Sequence, residues 1–322
     1  MLTKHFLKLL SVVPLFCVHA HAADSPAYPT RPIRYVVAFP PGGVNDAIAR
    51  ILSQRMSDVF SVPVIVDNRP GAGGNLGSEL VAKAAPDGHS LLNISTAQAI
   101  SQSLYAKLGY NLERDLTPVI LLATSPLIVA LHPGVNARGV RDLVAASKTQ
   151  PIRFSSGGIG TISHLSGEML SRAVGFAGIH VPYKGGGPAL NDVIGGQIEM
   201  TFIGAPASMP HIKSGRLRIL AVSTAKRVAA LPDVPTVAEA GYPGFEVGAL
   251  YAVLAPAGTP AAIVGRLTTE LARIVAARDI RERLNGLGLE TVGGTPEQLT
   301  AFMTADVDKW MKLVQKIGLK TD

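Results

Sequence analysis

The sequence has one cysteine, few aromatic residues and little charge. Cys17 is the only cysteine among 322 residues, aromatic residues make up 5% of the chain, and charged residues make up 16%. Cys17 lies in the N-terminal leader, so the domain that follows has no cysteine, cannot form a disulfide and must be held together by its core. A chain of about 300 residues is long enough for one large domain or two ordinary ones.

The first 22 residues have the pattern of a secretory signal peptide. Basic residues precede an apolar run over residues 9–18, and Ala20 and Ala22 supply the small residues that a signal peptidase reads. The run is too short to span a bilayer as a stable helix. Phe16, directly before Cys17, is bulky where a lipoprotein signal has a small residue. We therefore expect a signal peptide over residues 1–22 and a periplasmic protein without a lipid anchor.

Positive charge is present but is not clustered. The formal net charge is +7, and the basic residues are scattered along the chain with few aromatic residues beside them. A nucleic-acid-binding surface needs clustered basic residues, so we expect no nucleic-acid partner. Diffuse positive charge instead suits the attraction of an anionic small molecule.

The chain also lacks the motifs of common enzymes and metal sites. It contains no G-x-S-x-G elbow, no phosphate-binding loop that ends in Gly-Lys-Ser/Thr and no H-E-x-x-H pair. The stretch from Gly71 to Gly77 matches a dinucleotide fingerprint only in part, because Leu76 stands where the third glycine belongs. No two histidines after the leader have metal-ligand spacing. We expect no cofactor, no metal and no enzymatic activity.

Short apolar runs alternate with helical patterns along most of the chain, which predicts an α/β fold with parallel strands joined by helices. The predicted strands are Ile33–Phe39, Pro63–Asp67, Ser90–Ser95, Pro118–Ala123, Leu127–Leu131, Arg153–Ser155, Glu199–Ile203, Leu217–Ser223 and Leu250–Ala255. The predicted helices are Val44–Phe60, Gly77–Ala84, Val140–Thr149, Ile162–Ala173, Pro188–Gly195 and Pro260–Ala276.

A strand, a glycine turn and an amphipathic helix follow one another over residues 33–52. Two prolines end the strand, Gly42 and Gly43 form the turn, and apolar residues recur at helical spacing from Val44 onward. The first N–H groups of a helix lack intrahelical partners, and the helix dipole favours negative charge at this end. The turn therefore predicts an anion site, and the alternative is a turn that only connects a strand to a helix.

Asn45 and Asp46 begin that helix and leave a choice open. Either side chain can cap the helix, while the other reaches the ligand directly or through a water. An anionic Asp46 would repel a carboxylate at close range. We therefore expect Asp46 to cap the helix, to organise the backbone, or to bind a ligand hydroxyl or amine.

The same arrangement recurs over residues 153–170. Three glycines follow a short strand, and apolar residues then recur at helical spacing. Thr161 or Ser163 could cap this helix, and His164 in its first turn could either meet a ligand carboxylate or hydrogen-bond locally. If each turn belongs to its own lobe, two helix N-termini face each other across a cleft. Such a cleft suits a ligand with negative charge at both ends.

A third glycine-rich passage spans residues 180–207. Tyr183 and Lys184 precede three glycines that begin at Gly185, and Pro188 suits the first turn of the helix that follows. Gly185 therefore marks a third turn able to face an anion, while Lys184 can equally be a solvated charge. Ala205 follows a predicted strand and is a candidate for the cleft wall.

Six sequence blocks occur in an order that one family shares. They are YPTRPIRYVVAFPPGG, VDNRPGAGGNLGSELVAKAAPDGHSLL, SSGGIGTISHL, VPYKGGGPALNDVIGGQIEMTF, KRVAALPDVPTVAEAGYPGFEV and LAPAGTP. On these blocks the chain resembles the Bug-type periplasmic solute-binding proteins of the tripartite tricarboxylate transporter group. The resemblance extends over essentially the whole mature chain, so it is far more specific than a single glycine motif.

The resemblance implies a type II periplasmic binding protein, with two α/β lobes that close on a ligand like a Venus flytrap and a mixed, mainly parallel sheet in each lobe. The first lobe would comprise residues 28–123 and 249–322, with the C-terminal helix able to pack on the second lobe. The second lobe would comprise residues 124–248. Members of the family mostly bind carboxylates, and one turn in each lobe holds one end of the ligand.

The resemblance implies ligand-binding roles for residues in both turns. They are Phe39, Gly42, Gly43 and Asp46 in the first turn and Gly160, Thr161 and His164 in the second. The chain departs from the family pattern where Val44 and Asn45 replace the usual Gly or Thr before the aspartate. Asn45 brings amide donors in place of a hydroxyl, so the preferred ligand can differ from the usual small dicarboxylates. The complete set of predicted ligand-binding residues adds Asn45, Ser95, Ser156, Gly185 and Ala205.

These observations predict a monomeric receptor that captures a small organic carboxylate between its lobes. It would deliver the carboxylate to the membrane permease subunits of a tripartite tricarboxylate-type transporter. One alternative is a binding protein whose closed form signals to a sensor protein. Another is a secreted hydrolase that pairs His164 with Ser156 or Ser163, although no strained elbow and no acid partner can be assigned.

Overall fold

The computed structural model describes residues 28–105, 107–228 and 231–319. The predicted signal peptide, residues 1–22, lies outside the described residues. Strands and helices alternate along most of the described chain, so the predicted α/β class is confirmed.

Up to residue 150, the elements in chain order are β1 (Ile33–Val37), α1 (Val44–Phe60), β2 (Val64–Asn68), a 3-10 turn (Ala72–Gly74), α2 (Asn75–Ala82), β3 (Ser90–Ser95), α3 (Thr96–Leu104), β4 (Leu116–Leu131) and α4 (Val140–Thr149). Beyond residue 150 they are β5 (Ile152–Ser156), α5 (Ile162–Val174), β6 (Gly178–Pro182), α6 (Gly186–Ile194), β7 (Met200–Gly204), α7 (Ala205–Lys213), β8 (Arg218–Val222), β9 (Gly248–Pro256), α8 (Ala261–Ala276), α9 (Arg278–Gly286), β10 (Glu290–Gly294) and α10 (Pro296–Ile317).

The strands form a mixed sheet in the order β2-β1-β3-β9-β4-β7-β5-β6, and β8 and β10 also pair with β4. Parallel pairing joins β1 to β2 and β3, and β5 to β6 and β7. The pairs that involve β4 or β9 are antiparallel. The mixed sheet is confirmed, but parallel pairs do not predominate as expected, because the two central strands run in opposite directions to each other and to their neighbours.

β4 is 16 residues long and joins two regions of the sheet. Its first part, up to Pro126, pairs with β9, and its last part, from Leu127 on, pairs with β7 and β8. We call β1, β2, β3, β9, β10 and the first part of β4 the first sheet region, and β5 to β8 with the last part of β4 the second sheet region. The change of partner lies close to residues 123–124, where the lobe boundary is predicted, and the division into lobes stays a prediction.

The prediction of two separate strands in this segment is wrong. The gap between the two predicted strands covers residues 124–126, yet Thr124, Ser125 and Pro126 pair with Leu250, Ala249 and Gly248 of β9. The two register shifts lie earlier, between Pro118 and Ile120 and between Leu121 and Ala123, where β4 has one extra residue each time, and the pairing is regular from Ala123 to Pro126. The strand therefore continues through a stretch whose local composition predicts a turn.

Alternation along β4 directs its side chains into different cores. Val129 and Leu131 belong to a cluster that also contains Trp310 of α10, whereas Ile128 and Ala130 belong to a cluster under α6 and α7. The first of these clusters includes residues from both sheet regions. In keeping with this, α10 packs on α3, β4 and α5.

Several predicted helices are confirmed with small changes. α1 and α4 have the predicted bounds, and α2 begins at Asn75, before the predicted start at Gly77. By contrast, α3, β6, α7, α9 and β10 have no counterpart among the predicted strands and helices. Within the described part of the chain, no helix is both long and apolar enough to cross a membrane.

Candidate functional site

The turn after β1 is organised by Asp46. Gly42 has a φ of +86°, a conformation that glycine adopts at little cost, and its N–H group donates to Oδ2 of Asp46 at 3.0 Å. Nε of Arg50 and Nδ2 of Asn68 donate to the same carboxylate at 2.9 and 3.0 Å. The hydrogen bond from Arg50 is the main reason that the pKa of Asp46 falls to about 2. Asp46 is therefore ionised and occupied by the protein's own donors.

The N-cap of α1 is Gly43, so the prediction that Asn45 or Asp46 caps this helix is wrong. The extended backbone of Gly43 places the first helical residue at Val44, and both side chains therefore lie inside the first turn. The expected role of Asp46 in organising the backbone is confirmed by its bond to Gly42. Asn45 is only 9% exposed, and its Oδ1 atom has no hydrogen-bond partner among the described residues.

The turn after β5 is built from side-chain hydrogen bonds. Of the two predicted candidates, Thr161 is the N-cap of α5, and its Oγ1 accepts the N–H of His164 at 3.4 Å and donates to the carbonyl of Gly158 at 2.7 Å. Gly160 has a φ of +76°, and its N–H group donates to Nδ1 of His164 at 3.0 Å. His164 is buried and hydrogen-bonds locally, and a contact between His164 and a ligand stays a prediction.

A third helix N-terminus is that of α3, at the end of β3. The hydroxyl of Ser95 accepts the N–H of Ala97 at 3.4 Å, and Oε1 of Gln98 accepts the N–H of Ser95 at 2.9 Å. These reciprocal bonds form a capping box and fix the start of the helix. The sequence predicts Ser95 as a site residue without predicting the helix that it caps.

The starts of α1, α3 and α5 meet around one cavity of about 300 Å³. Its polar wall contains Asn45 from α1, Ser95 and Thr96 from α3, and Gly160 and Thr161 from the turn before α5. Much of the remaining wall is apolar or aromatic, with Phe39, Ala97, Ile100, Leu104, Tyr105, Ile159, Ile162, Ala249 and Tyr251. None of the described residues that line the cavity is Asp, Glu, Lys or Arg.

The electrostatics of this cavity come from backbone dipoles and neutral side chains. A helix N-terminus carries the equivalent of about half a positive charge, so three of them around one cavity favour an anion. The amide of Asn45 and the hydroxyls of Ser95, Thr161 and Tyr251 add polar groups without net charge. Burial raises the pKa of Tyr251 to about 12, so its hydroxyl keeps a proton that it can donate.

Five of the twelve predicted residues line the cavity: Phe39, Asn45, Ser95, Gly160 and Thr161. The other seven are not part of its wall: Gly42, Gly43, Asp46, Ser156, His164, Gly185 and Ala205. Gly42 and Gly43 shape the turn next to Asn45, and the side chains of Asp46, Ser156 and His164 are held by hydrogen bonds within the protein.

Gly185 and Ala205 lie at other helix starts. Gly185 is the N-cap of α6, and its N–H group donates to the carbonyl of Gly157 at 3.0 Å. Ala205 is the first residue of α7 and packs in the apolar cluster with Ile128 and Leu190. The third glycine turn is therefore adjacent to the second one, while Ala205 belongs to the core.

Sequence reasoning missed the cavity residues on β9 and α3. Ala249 and Tyr251 lie on β9, and Ile100, Leu104 and Tyr105 lie on α3 or directly after it. Tyr251 reaches the cavity because it pairs with Ser95 across the antiparallel strands β3 and β9. No local pattern signals this pairing.

A larger cavity, of about 740 Å³, lies between α10, β10 and the loops near residues 224–227 and 244–248. Its wall contains charged side chains of both signs, among them Lys226, Glu246, Glu290 and Lys309, and none of the predicted site residues. We assign the function to the smaller cavity, because the predicted turns and the helix N-termini meet there.

The described ranges contain no group of three His, Cys, Asp or Glu residues placed to hold a metal ion.

The two sheet regions that share β4, together with a cavity formed by opposed strand-turn-helix units, define a solute-binding protein of the periplasmic type. The chain belongs to the receptor family of tripartite tricarboxylate transporters. The family model described as "Tripartite tricarboxylate transporter family receptor" matches residues 48–319, which confirms the resemblance.

Two relatives cover nearly the whole chain. Protein BugT of Bordetella pertussis is 35% identical over an alignment of 320 residues, and the match covers 97% of this chain and 98% of BugT. A protein of the tcbD-tcbE intergenic region of Pseudomonas sp. strain P51 is 40% identical over 299 residues, which make up 92% of this chain and 89% of that protein.

Solved structures share the fold. The periplasmic binding protein BugD is 36% identical with a TM-score of 0.78, and the match covers 91% of this chain and 100% of BugD. R. palustris Rpa4515 with adipate is 33% identical with a TM-score of 0.81, covering 91% and 100%. MatC from Rhodopseudomonas palustris with bound malate is 30% identical with a TM-score of 0.77, covering 89% and 100%. The predicted Bug-type, periplasmic-binding-protein fold is therefore confirmed.

Proposed function

We propose that this protein captures a small organic carboxylate in the 300 Å³ cavity and delivers it to the permease of a tripartite tricarboxylate-type transporter. The observation that carries this proposal is the meeting of three helix N-termini around a cavity whose described wall has no charged side chain. The family membership supports it, as do the adipate and malate bound by two structurally similar proteins. Removal of residues 1–22 on export would place the mature receptor in the periplasm.

The carboxylate would exchange its water shell for donors that the fold already orients. N–H groups in the first turns of α1, α3 and α5 that the caps Ser95 and Thr161 do not engage need an acceptor, and a carboxylate supplies several lone pairs. Asn45 and Tyr251 can add side-chain donors. Hydrogen bonds to a charged group contribute about 1.5 to 3 kcal/mol each, so a few of them account for the roughly 8 kcal/mol of a micromolar complex.

The remainder of the ligand would lie against the apolar wall. Phe39, Ile100, Ile162 and the ring of Tyr251 surround this space, whose volume is at the lower end of the range for ligand pockets, about 300 to 1,000 Å³. A small acid with an aliphatic or aromatic body fits this chemistry. A polyhydroxylated sugar does not, because it would leave hydroxyls against carbon.

The site supports a receptor without catalysis. Ser163, one of the two candidate nucleophiles of a hydrolase, accepts the N–H of Gly157 at 3.2 Å. Ser156, the other candidate, is fully buried, and its hydroxyl donates to the carbonyl of Gly158 at 3.0 Å. The histidine within hydrogen-bond distance of it is His180, and the described contacts of His180 include no carboxylate. A nucleophile closed off from substrate and a base without an orienting acid do not make a hydrolytic triad.

A thermal-shift screen of carboxylic acids, followed by calorimetry, tests the proposal. Adipate and malate belong in the screen, and adipamide is the matched control because it keeps the adipate chain without its charge. We expect at least one acid to raise Tm while its amide does not. Stabilisation by neutral sugars or by metal ions, with no response to any acid, would contradict the proposal.

The proposed partner is a membrane permease, and the receptor would act as a monomer. A receptor that signals to a sensor protein would have the same cavity, so the test must be made in cells. Deletion of the gene should abolish uptake of the identified acid and leave induction of acid-responsive genes intact. The reverse pattern would favour the sensing role.

A further inference from the structure

A serine and two histidines lie beneath the turn that carries Gly160 and Thr161. Oγ of Ser156 is 2.6 Å from Nε2 of His180, and the rings of His164 and His180 stack with their centroids 3.8 Å apart and their planes 18° apart. His180 lies on β6 next to Phe154 of β5, and its ring is 5.2 Å from the Phe154 ring. Neither the sequence patterns nor the proposed ligand contacts involve His180.

The hydrogen bonds of Ser156 indicate which ring nitrogen of His180 carries the proton. The N–H group of Gly158 donates to Oγ of Ser156 at 3.1 Å, and Oγ of Ser156 donates to the carbonyl of Gly158 at 3.0 Å. A serine hydroxyl has a single proton and can accept two hydrogen bonds. We assign that proton to the carbonyl of Gly158, and with this assignment the bond to His180 requires that Nε2 of His180 carries a proton and donates it.

The hydrogen bond of His164 likewise indicates which of its own ring nitrogens carries the proton. Nδ1 of His164 accepts the N–H of Gly160 at 3.0 Å, so a neutral His164 carries its proton on Nε2. The ring of His180 covers one face of the His164 ring and limits its rotation. His180 thus contacts both side chains that hold the turn, Ser156 at Gly158 and His164 at Gly160.

We propose that His180 is a positioning residue for ligand binding, which sets the conformation of the turn over residues 157–161 through Ser156 and His164. This inference rests on the proposed function only in that Gly160 and Thr161 of the turn line the ligand cavity. It also gives Ser156 and His164 a role behind the cavity wall. The hydrogen bond to His164 engages the Gly160 N–H within the protein, so this group is not available to the ligand.

Packing alone does not account for a histidine at this position. A phenylalanine would still stack against His164 and Phe154, but it would remove the donor to Ser156. A glutamine would keep a donor and lose the stacked ring. The two substitutions therefore separate the hydrogen bond from the ring contact.

The first test uses the full mature protein without ligand, labelled with ¹⁵N. We expect the histidine ring spectra to show the tautomer protonated at Nε2 for His164 and His180. The His180→Phe and Ser156→Ala variants should each shift the amide resonance of Gly158, whereas His180→Gln should restore the Gly158 resonance and shift that of Gly160. A Gly158 resonance that stays unchanged in His180→Phe, or a Gly160 resonance that stays unchanged in His180→Gln, would overturn the proposal.

The second test measures the affinity for adipate by calorimetry, with Tm recorded for every variant. His180→Phe should weaken binding by about tenfold, which corresponds to the loss of one ordinary hydrogen bond. Because both variants break the same contact, the double variant Ser156→Ala/His180→Phe should bind no more weakly than the weaker of its two parents. Affinities that fall only in proportion to Tm, or that add independently, would contradict a positioning role.

His132→Phe is the matched control. Nδ1 of His132 accepts the N–H of Gly134 at 3.1 Å, so this variant removes a similar histidine–glycine bond at a turn outside the cavity. It should leave adipate affinity unchanged. The amide spectra need no ligand, so they decide the role of His180 even if wild-type protein fails to bind adipate, a result that counts against the proposed function alone.

Discussion

A Cβ atom on Gly160 would lie 2.4 Å from Cδ1 of Leu104. Leu104 is the last residue of α3, and Gly160 belongs to the turn before α5, so the backbone of one strand-turn-helix unit packs directly on a side chain of another. Both residues line the proposed ligand cavity. The absence of a side chain at residue 160 is therefore a condition for the close approach of these two units.

We predict that Gly160→Ala weakens ligand binding by about tenfold or more. The φ of +76° costs an alanine about 1 to 2 kcal/mol, and the added methyl group forces the side chain of Leu104, which lines the cavity, to move. Calorimetry with the acid identified in the screen measures the effect. Gly139→Ala is the control, since a Cβ there meets no atom within 4 Å, and an equal loss of affinity in this variant would contradict the explanation.

Thr161→Ala should reduce both stability and affinity. The N-cap bond to His164 and the bond to Gly158 are lost, and removal of an N-cap costs about 1 kcal/mol. Thr295→Ala removes the N-cap of α10, which does not line the cavity, and should lower Tm without affecting binding. If both variants bind the acid as tightly as wild type, Thr161 does not contribute to the site.

Asn45→Asp should nearly abolish binding of any carboxylate. The substitution keeps the size of the side chain but places a negative charge in the wall of a cavity that has none, and like charges in contact cost several kcal/mol. We expect a loss of at least about 100-fold in calorimetry. Asn191→Asp, at an exposed position of α6, should bind normally. Retained affinity in Asn45→Asp would place the carboxylate elsewhere.

Tyr251→Phe tests whether the tyrosine hydroxyl donates to the ligand. The side chain is buried in the cavity wall, and removal of a donor to a charged group costs about 1.5 to 3 kcal/mol, or roughly 10- to 100-fold in Kd. Tyr35→Phe is the control: its hydroxyl accepts a hydrogen bond from Asn93 at 2.8 Å and does not line the cavity. That variant should lower Tm and leave Kd unchanged.

Stability should fall as the pH is lowered from 7 towards 4. Burial, and secondarily the charge of His164, lowers the pKa of His180 to about 4 from its ordinary 6.5, and burial also lowers the pKa of His164. The unfolded chain therefore binds these protons first, and stability is lost between the two pKa values. Thermal unfolding across this range should show a shallower decline for His180→Gln than for wild type. Parallel curves would contradict the assignment.

The elements that the sequence predicts best have strong local signals. Val44–Phe60 and Val140–Thr149 carry an apolar face at helical spacing, and both helices have the predicted bounds. By contrast, α3 has the sequence TAQAISQSL, in which small and polar residues obscure the apolar face. β6 is an edge strand whose Ile179 is exposed, so it shows neither the alternation nor the continuous apolar run of a buried strand.

The residues of the candidate site also divide into those with a local sequence signal and those without one. Asn45, Gly160 and Thr161 lie in turns that the glycines and the family blocks reveal, and the structure places them in the cavity wall. The positions of Tyr251 and His180 depend on strand register, because Tyr251 lies opposite Ser95 and His180 lies opposite Phe154. Register is a property of the assembled sheet, so one sequence read locally cannot supply these residues.

Because the two sheet regions share β4, they should unfold together. Local unfolding of either sheet region would have to break hydrogen bonds of a strand that the other region continues to hold, and the apolar cluster around Val129 and Trp310 includes residues from both. The two regions should therefore behave as a single foldon in native-state hydrogen exchange, with similar protection on both sides of Pro126. A protease would then meet either the intact receptor or the globally unfolded chain.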